Sequence, residues 1–188
     1  NFLKGGFSFA DAITTVSPTY AREIRTPEYG FGLEGVLNER AADLAGILNG
    51  ADYEVWDPGL DPFLVQNYPA DDLSGKRACK ADVQRIFGLD AAPDVPLIGI
   101  VSRLAAQKGI DLIQQTLERL LQKNLQVVLL GGGDRPYQEF FETAARNHRD
   151  KLGVQIGFEE PLAHKIEAGA DLFLMPSRYE PSGLNQLY

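Results

Sequence analysis

From Leu97 onward, short apolar runs alternate with amphipathic segments, and this alternation constrains the fold more than any other feature of the chain. Leu97 to Val101 and residues 126–130 are continuous, β-branched-rich runs of the kind that parallel strands bury on both faces. Residues 153–158 and 171–175 read as a third and a fourth strand. Between the first two runs, Ile110, Ile113, Leu117, Leu120 and Leu121 recur at helical spacing and share one face. The next helix turns Tyr137, Phe140, Phe141, Ala144 and Ala145 inward, and a short third helix covers residues 162–168. Strand and helix alternating through short connections imply an α/β fold, a Rossmann-like parallel sheet with helices on both faces. Such sheets bind ligands at the carboxyl ends of their strands.

Upstream the pattern is less regular. Residues 12–16 read as a strand and 18–24 as a helix with Pro18 near its first turn. Residues 38–44 look helical, and 45–49 form a short strand leading into the Asn49-Gly50 turn. Residues 56–72, with Pro58, Pro62 and Pro69, read as a turn-rich linker over a surface, and 76–87 as an amphipathic helix. The expected division is 1–55 as the C-terminal part of a first α/β domain, 56–94 as linker and entry helix, and 95–188 as the incomplete second domain. The junction is expected between Gly50 and Pro69. Both ends read as cut, which makes the chain an internal piece of a longer polypeptide.

The 188 residues carry a formal charge of −8, against a sequence-unspecific grip on nucleic acid or an anionic membrane. Small molecules or a neutral polymer fit better as partners. One cysteine, Cys79, leaves no internal disulfide, and with only His148 and His164 beside it a structural zinc site lacks ligands. The apolar run 95–101 is far short of a membrane span. Asn1-Phe2-Leu3-Lys4-Gly5-Gly6 has neither a basic leader nor a cleavage site, so no signal peptide is expected.

Three loops could carry chemistry. Ser102 to Gly109 holds Arg103 and Lys108 between a strand and a helix start, an anion site suited to phosphate or a pair of solvated loop charges. Gly131-Gly132-Gly133-Asp134 either lets the backbone approach a ligand or makes a tight turn with a helix-capping Asp. It is not a dinucleotide fingerprint, because no later glycine completes it. In residues 176–184, Glu180 precedes a Pro-Ser-Gly turn at a helix start, suiting sugar hydroxyls and a diphosphate, or simply capping a helix. Paired-carboxylate hydrolysis is disfavoured, since Glu159 and Glu160 are adjacent rather than opposed.

Residues 46–58, Ser102-Arg103-Leu104 with Gln107-Lys108-Gly109, and residues 180–188 closely resemble bacterial glycogen synthases and plant starch synthases. Residues 15–21 and Glu34-Gly35-Val36-Leu37 resemble that family too, so the likeness covers essentially the whole chain. The resemblance implies a GT-B glycosyltransferase with two Rossmann-like domains. It would move glucose from ADP-glucose to the non-reducing end of an α-1,4-glucan with retention of configuration. Residues 1–55 would then be acceptor-side and 95–188 nucleotide-sugar-binding. By the same resemblance, Arg103 and Lys108 hold the donor diphosphate as leaving group and Glu180 contacts the donor glucose. Ser182, Gly183, Leu184 and Asn185 form the turn whose amides meet the phosphates. Phe158 falls where an aromatic meets the adenine, and Asn49 near the transferred sugar. His164 reads as structural.

Ser182 stands where many members have Cys, and the hydroxyl keeps the turn geometry. The family's lysine–glycine–glycine donor loop and its cleft histidine are expected upstream of this chain, so Lys4-Gly5-Gly6 is not that loop. Implied partners are ADP-glucose or ADP and the glucan, with no metal, cofactor, nucleic acid or membrane. The implied location is bacterial cytoplasm, or the plastid for a plant parent, and the fragment alone is expected to be inactive. Rivals are a UDP-glucose-dependent enzyme of the same architecture, a nucleotide-binding oxidoreductase lacking its glycine fingerprint, and a non-catalytic nucleotide- or glucan-binding lobe.

Overall fold

The computed structural model describes residues 2–188; the expectation about the leader rests partly on Asn1, which lies outside the described residues. The chain divides into two compact units. One takes the described residues through Ala51 together with Glu180–Tyr188, the other Asp52–Tyr179.

The second unit is built on four parallel strands, β3 (Leu97–Val101), β4 (Gln126–Gly131), β5 (Leu152–Ile156) and β6 (Leu172–Phe173), in the order β5-β4-β3-β6. Helices α5 (Ile110–Leu121), α6 (Arg135–Asn147) and α7 (Glu160–Gly169) connect them, as the alternation implies. Side-chain alternation sorts the strand residues onto two faces. Ile98, Ile100, Val127, Leu129 and Leu152 meet Ile110, Ile113, Leu117 and Phe141 of α5 and α6. Leu97, Val101, Val128 and Leu130 meet Leu162 and Ile166 of α7 and Val83 of α4 (Lys76–Ile86). Both faces are therefore covered, and each fully buried aliphatic side chain contributes about 2 kcal/mol. Gly99 allows the close approach of α7, since a Cβ there would meet Ile166 Cγ2 at 2.7 Å.

Boundaries differ from expectation where local chemistry intervenes. Strand β5 begins at Leu152 and ends before Gly157, whose φ of 122° turns the chain. Helix α7 begins two residues earlier than the apolar pattern suggests, because Pro161 is accommodated in its first turn. The fourth strand pairs only at Leu172 and Phe173.

Residues 56–72 run largely exposed, as expected of a segment over a surface, and are fastened to α7 at a few points. Trp56 stacks on His164 at 3.7 Å between ring centroids, and Asp61 Oδ2 lies 2.6 Å from His164 Nδ1. Tyr68 donates to the Ala168 carbonyl at 2.8 Å, and Lys76 Nζ to the same oxygen at 2.7 Å. Helix α4 is held by a buried cation: Lys80 Nζ bonds the carbonyls of Pro93 and Val95 and the carboxylate of Asp171. Buried polar groups are tolerated when satisfied in this way.

In the first unit, β1 (Ile13–Thr15) and β2 (Leu44–Gly46) pair in parallel. Helix α1 (Phe2–Phe9), which the sequence reading did not identify, precedes them. Helix α2 (Pro18–Glu23) starts at Ser17, whose hydroxyl accepts from the Tyr20 amide at 2.9 Å. The expected helix over 38–44 is corrected: α3 spans Glu34–Glu39 and a single 3-10 turn spans Ala41–Asp43. Arg40 marks the break, with its guanidinium committed to the carbonyls of Phe7, Ser8 and Ala10 around the end of α1.

Candidate functional site

The loop after β3 is shaped by one buried side chain between two cations. Leu104 is fully buried, and its amide donates to the Gly132 carbonyl at 2.9 Å. Arg103 on one side of it is exposed, and Lys108 beyond it is half-buried in a 3-10 turn, Ala106–Lys108. Gly109 then takes φ 68° and caps α5. No other residue fits there without strain, because a Cβ would also lie 2.0 Å from the Pro176 carbonyl oxygen.

The neighbouring loops close against this one along the carboxyl edge of the sheet. A Cβ on Gly131 would lie 2.1 Å from the Ser102 carbonyl oxygen, and one on Gly133 would lie 2.4 Å from that of Leu104. Gly131 and Gly133 thus serve close loop packing, whereas a Cβ on Gly132 would meet nothing nearer than 3.5 Å. Asp134 occupies the N-cap position of α6, but its side chain makes no capping bond, which corrects the capping expectation. Gly157 donates to the Gly131 carbonyl at 3.0 Å, and Phe158 follows with its ring 79% exposed. Arg103 and Lys108 therefore stand on the loop at the carboxyl end of β3 and Phe158 on that of β5, with the glycine loop of β4 between them.

The loop after β6 joins them. Arg178 donates its amide to the Gln107 carbonyl at 2.9 Å, and its guanidinium pairs with Asp111 in the first turn of α5. Gln107 Nε2 donates to the Tyr179 carbonyl at 2.8 Å, while Gln107 Oε1 accepts from Arg103 Nη2 at 3.0 Å. Gln107, Asp111 and Arg178 went unremarked as site residues in the sequence. Only the four-residue step from Arg103 to Gln107 hints at their pairing.

Glu180, Ser182, Gly183, Leu184 and Asn185 fall in the first unit, as does the exposed Asn49 beyond β2. The helix start expected at Gly183 is a single 3-10 turn over Leu184–Gln186. A Cβ on Gly183 would sit 2.6 Å from Gln186 Oε1 and 3.4 Å from Glu180 Oε2, both ends of flexible side chains that can move aside. Glu180 is half-buried with its carboxylate against this turn.

Two cations ahead of the twelve-residue helix α5 combine side-chain charge with the positive end of a helix dipole. An exposed aromatic ring on the same edge offers a flat apolar face. Together they suit an anion attached to a planar group. Among the described residues, no cluster of three or more His, Cys, Asp or Glu side chains is placed to hold a metal ion. No helix among them is long and apolar enough to cross a membrane.

Comparison with known proteins agrees along the whole chain. The family described as "Glycosyl transferases group 1" matches residues 85–187, and "Starch synthase catalytic domain" matches residues 1–39. A glycogen synthase of Anaeromyxobacter dehalogenans (strain 2CP-1 / ATCC BAA-258) is 60% identical over 188 residues, all of this chain and 39% of that protein. Glycogen synthase 1 of Geobacter metallireducens is 54% identical over 189 residues, covering 38% of that protein. The catalytic domain of starch synthase IV from Arabidopsis thaliana, solved bound to ADP and acarbose, superimposes with a TM-score of 0.91 at 41% identity. That match covers 98% of this chain and 38% of the other. The fold is thus of GT-B type. The chain spans about two fifths of the curated relatives it matches.

Proposed function

The chain belongs to the glycosyl transferases of group 1, and from that premise we propose that its parent protein is a retaining glucosyltransferase that extends an α-1,4-glucan from ADP-glucose. The observation that carries this reading is the loop of Arg103 and Lys108, held at the carboxyl end of the sheet by the buried Leu104 and by Gly109. Breaking the bond between glucose C1 and the donor phosphate oxygen leaves negative charge on the diphosphate and oxocarbenium character on the sugar. Arg103 and Lys108, fixed before the reaction, neutralise the leaving group without reorganisation. Glu180 orients the donor glucose through its hydroxyls, and Asn49 acts near the same sugar. The turn at Ser182, Gly183, Leu184 and Asn185 meets the phosphates with its amides. Phe158 stacks on the base.

ADP appears in the structure of the starch synthase IV domain, which supports a nucleotide-diphosphate donor here. The reaction as proposed needs no metal or other cofactor, because the two cations supply the neutralising charge; activity is expected to survive EDTA. The parent works in bacterial cytoplasm, or in the plastid if it comes from a plant.

A UDP-glucose-dependent enzyme of the same architecture is the second reading, because an exposed phenyl ring stacks on either base. The test is the ratio of kcat/KM for ADP-glucose and UDP-glucose, measured on the full-length protein with a glycogen primer. Preference for ADP-glucose supports the proposal. Turnover of UDP-glucose alone keeps the architecture and replaces the donor. No turnover of either leaves a non-catalytic binding lobe.

A further inference from the structure

We propose that Gln107 is a positioning residue for the donor-diphosphate cation Arg103, an assignment that rests on the glucosyltransferase reading above. Its side-chain amide bridges two of the loops at the carboxyl edge of the sheet. Oε1 accepts from Arg103 Nη2 at 3.0 Å, and Nε2 donates to the Tyr179 carbonyl at 2.8 Å. The orientation of the amide follows from its neighbours, since a guanidinium only donates and a carbonyl only accepts. The backbone of Gln107 makes a third link, accepting the Arg178 amide at 2.9 Å. The Gln107 side chain is half-buried while Arg103 is exposed, so the glutamine is the better fixed of the two.

Arginine has a long, flexible stem, and an exposed one loses much of its electrostatic effect to rotamer averaging. A glutamine tied at its other end to backbone reduces that freedom and holds the guanidinium on the loop edge. The same side chain fixes the backbone just before Glu180 in sequence. Gln107 touches neither the sugar nor the phosphates in this account; it acts through Arg103.

Kinetics of the full-length protein with ADP-glucose and glycogen test the assignment. Gln107→Ala is expected to lower kcat about tenfold, the size of one lost hydrogen bond to a charged group, with KM for ADP-glucose changed less than about twofold. The discriminating readout is the double-mutant cycle. On an Arg103→Ala background, Gln107→Ala is expected to cost less than about twofold, whereas on Lys108→Ala its full effect persists. An equal loss on both backgrounds overturns the assignment, because a merely structural glutamine would lower both alike. If Gln107→Ala does not fold, Gln107→Met keeps the length of the side chain, removes both of its hydrogen bonds and carries the same cycle. Wild-type protein without glucosyl transfer overturns the functional reading and this assignment with it. Wild-type transfer with an unaffected Gln107→Ala overturns this assignment alone.

Discussion

The backbone that carries Arg103 and Lys108 is set by the fully buried Leu104 and by the 3-10 turn Ala106–Lys108 rather than by either charge. Replacing either by alanine in the full-length protein is expected to lower kcat about 100- to 1,000-fold, as for other preorganised charge stabilisers. Gly109 is the more structural position. Its φ of 68° and the Pro176 carbonyl 2.0 Å from a Cβ position leave no room for a side chain. Gly109→Ala is expected to cost about 1–3 kcal/mol from the strained backbone alone, read as a fall in Tm, with the loop contact adding to it. The sequence displays the Gln107-Lys108-Gly109 run plainly, but the reason for its glycine lies in a loop 67 positions downstream, which no local pattern encodes. Gln107 was missed for the same reason, since its partner Tyr179 is 72 residues away.

Helices α4 and α7 are packed together by polar links as well as by Val83 and Ile166. Asp82 is pulled both ways: burial raises its pKa, and bonds from Lys165 at 2.6 Å and Arg85 at 2.6 Å outweigh this and hold it below the usual carboxylate value. A carboxylate with a depressed folded pKa adds stability above its unfolded pKa and loses it as pH falls through the folded value. Thermal stability is therefore expected to fall on acidification through and below the ordinary carboxylate range, and Asp82→Asn to flatten that dependence. An unchanged slope in the variant would remove Asp82 from the account.

The Asp61–His164 bond, buried at both ends, fastens the 56–72 segment to α7. Asp61→Ala leaves the buried His164 Nδ1 without its partner and is expected to cost about 1–5 kcal/mol, measured by denaturant unfolding. Strands and amphipathic helices of the second unit were legible because burial on both faces leaves continuous apolar runs. The fastening of 56–72 was not, because its proline-rich turns resemble a solvated linker and its anchors lie about a hundred residues away. Arg40 likewise ends α3 through partners 30 to 33 residues upstream, which shifted the expected helix.

At the scale of the molecule, the parallel α/β sheet of the second unit follows from the strand–helix alternation, whereas the GT-B type was implied by the family resemblance and agrees with the superposition on the starch synthase IV domain. The chain covers 39% of its glycogen synthase relative, so the 188 residues alone are expected to release no ADP from ADP-glucose in the presence of glycogen. The roles proposed for Glu180 and Asn185 rest on likeness to a family rather than on any local pattern, because a carboxylate before a turn has several uses. The central claim is that the parent transfers glucose rather than only binding its nucleotide. The most direct measurement counts ADP released and glucosyl units gained by a glycogen primer in the same reaction with the full-length protein. The account requires primer-dependent release with one α-1,4-linked unit gained for each ADP. Release of ADP without polymer growth, or no release at all, would contradict it.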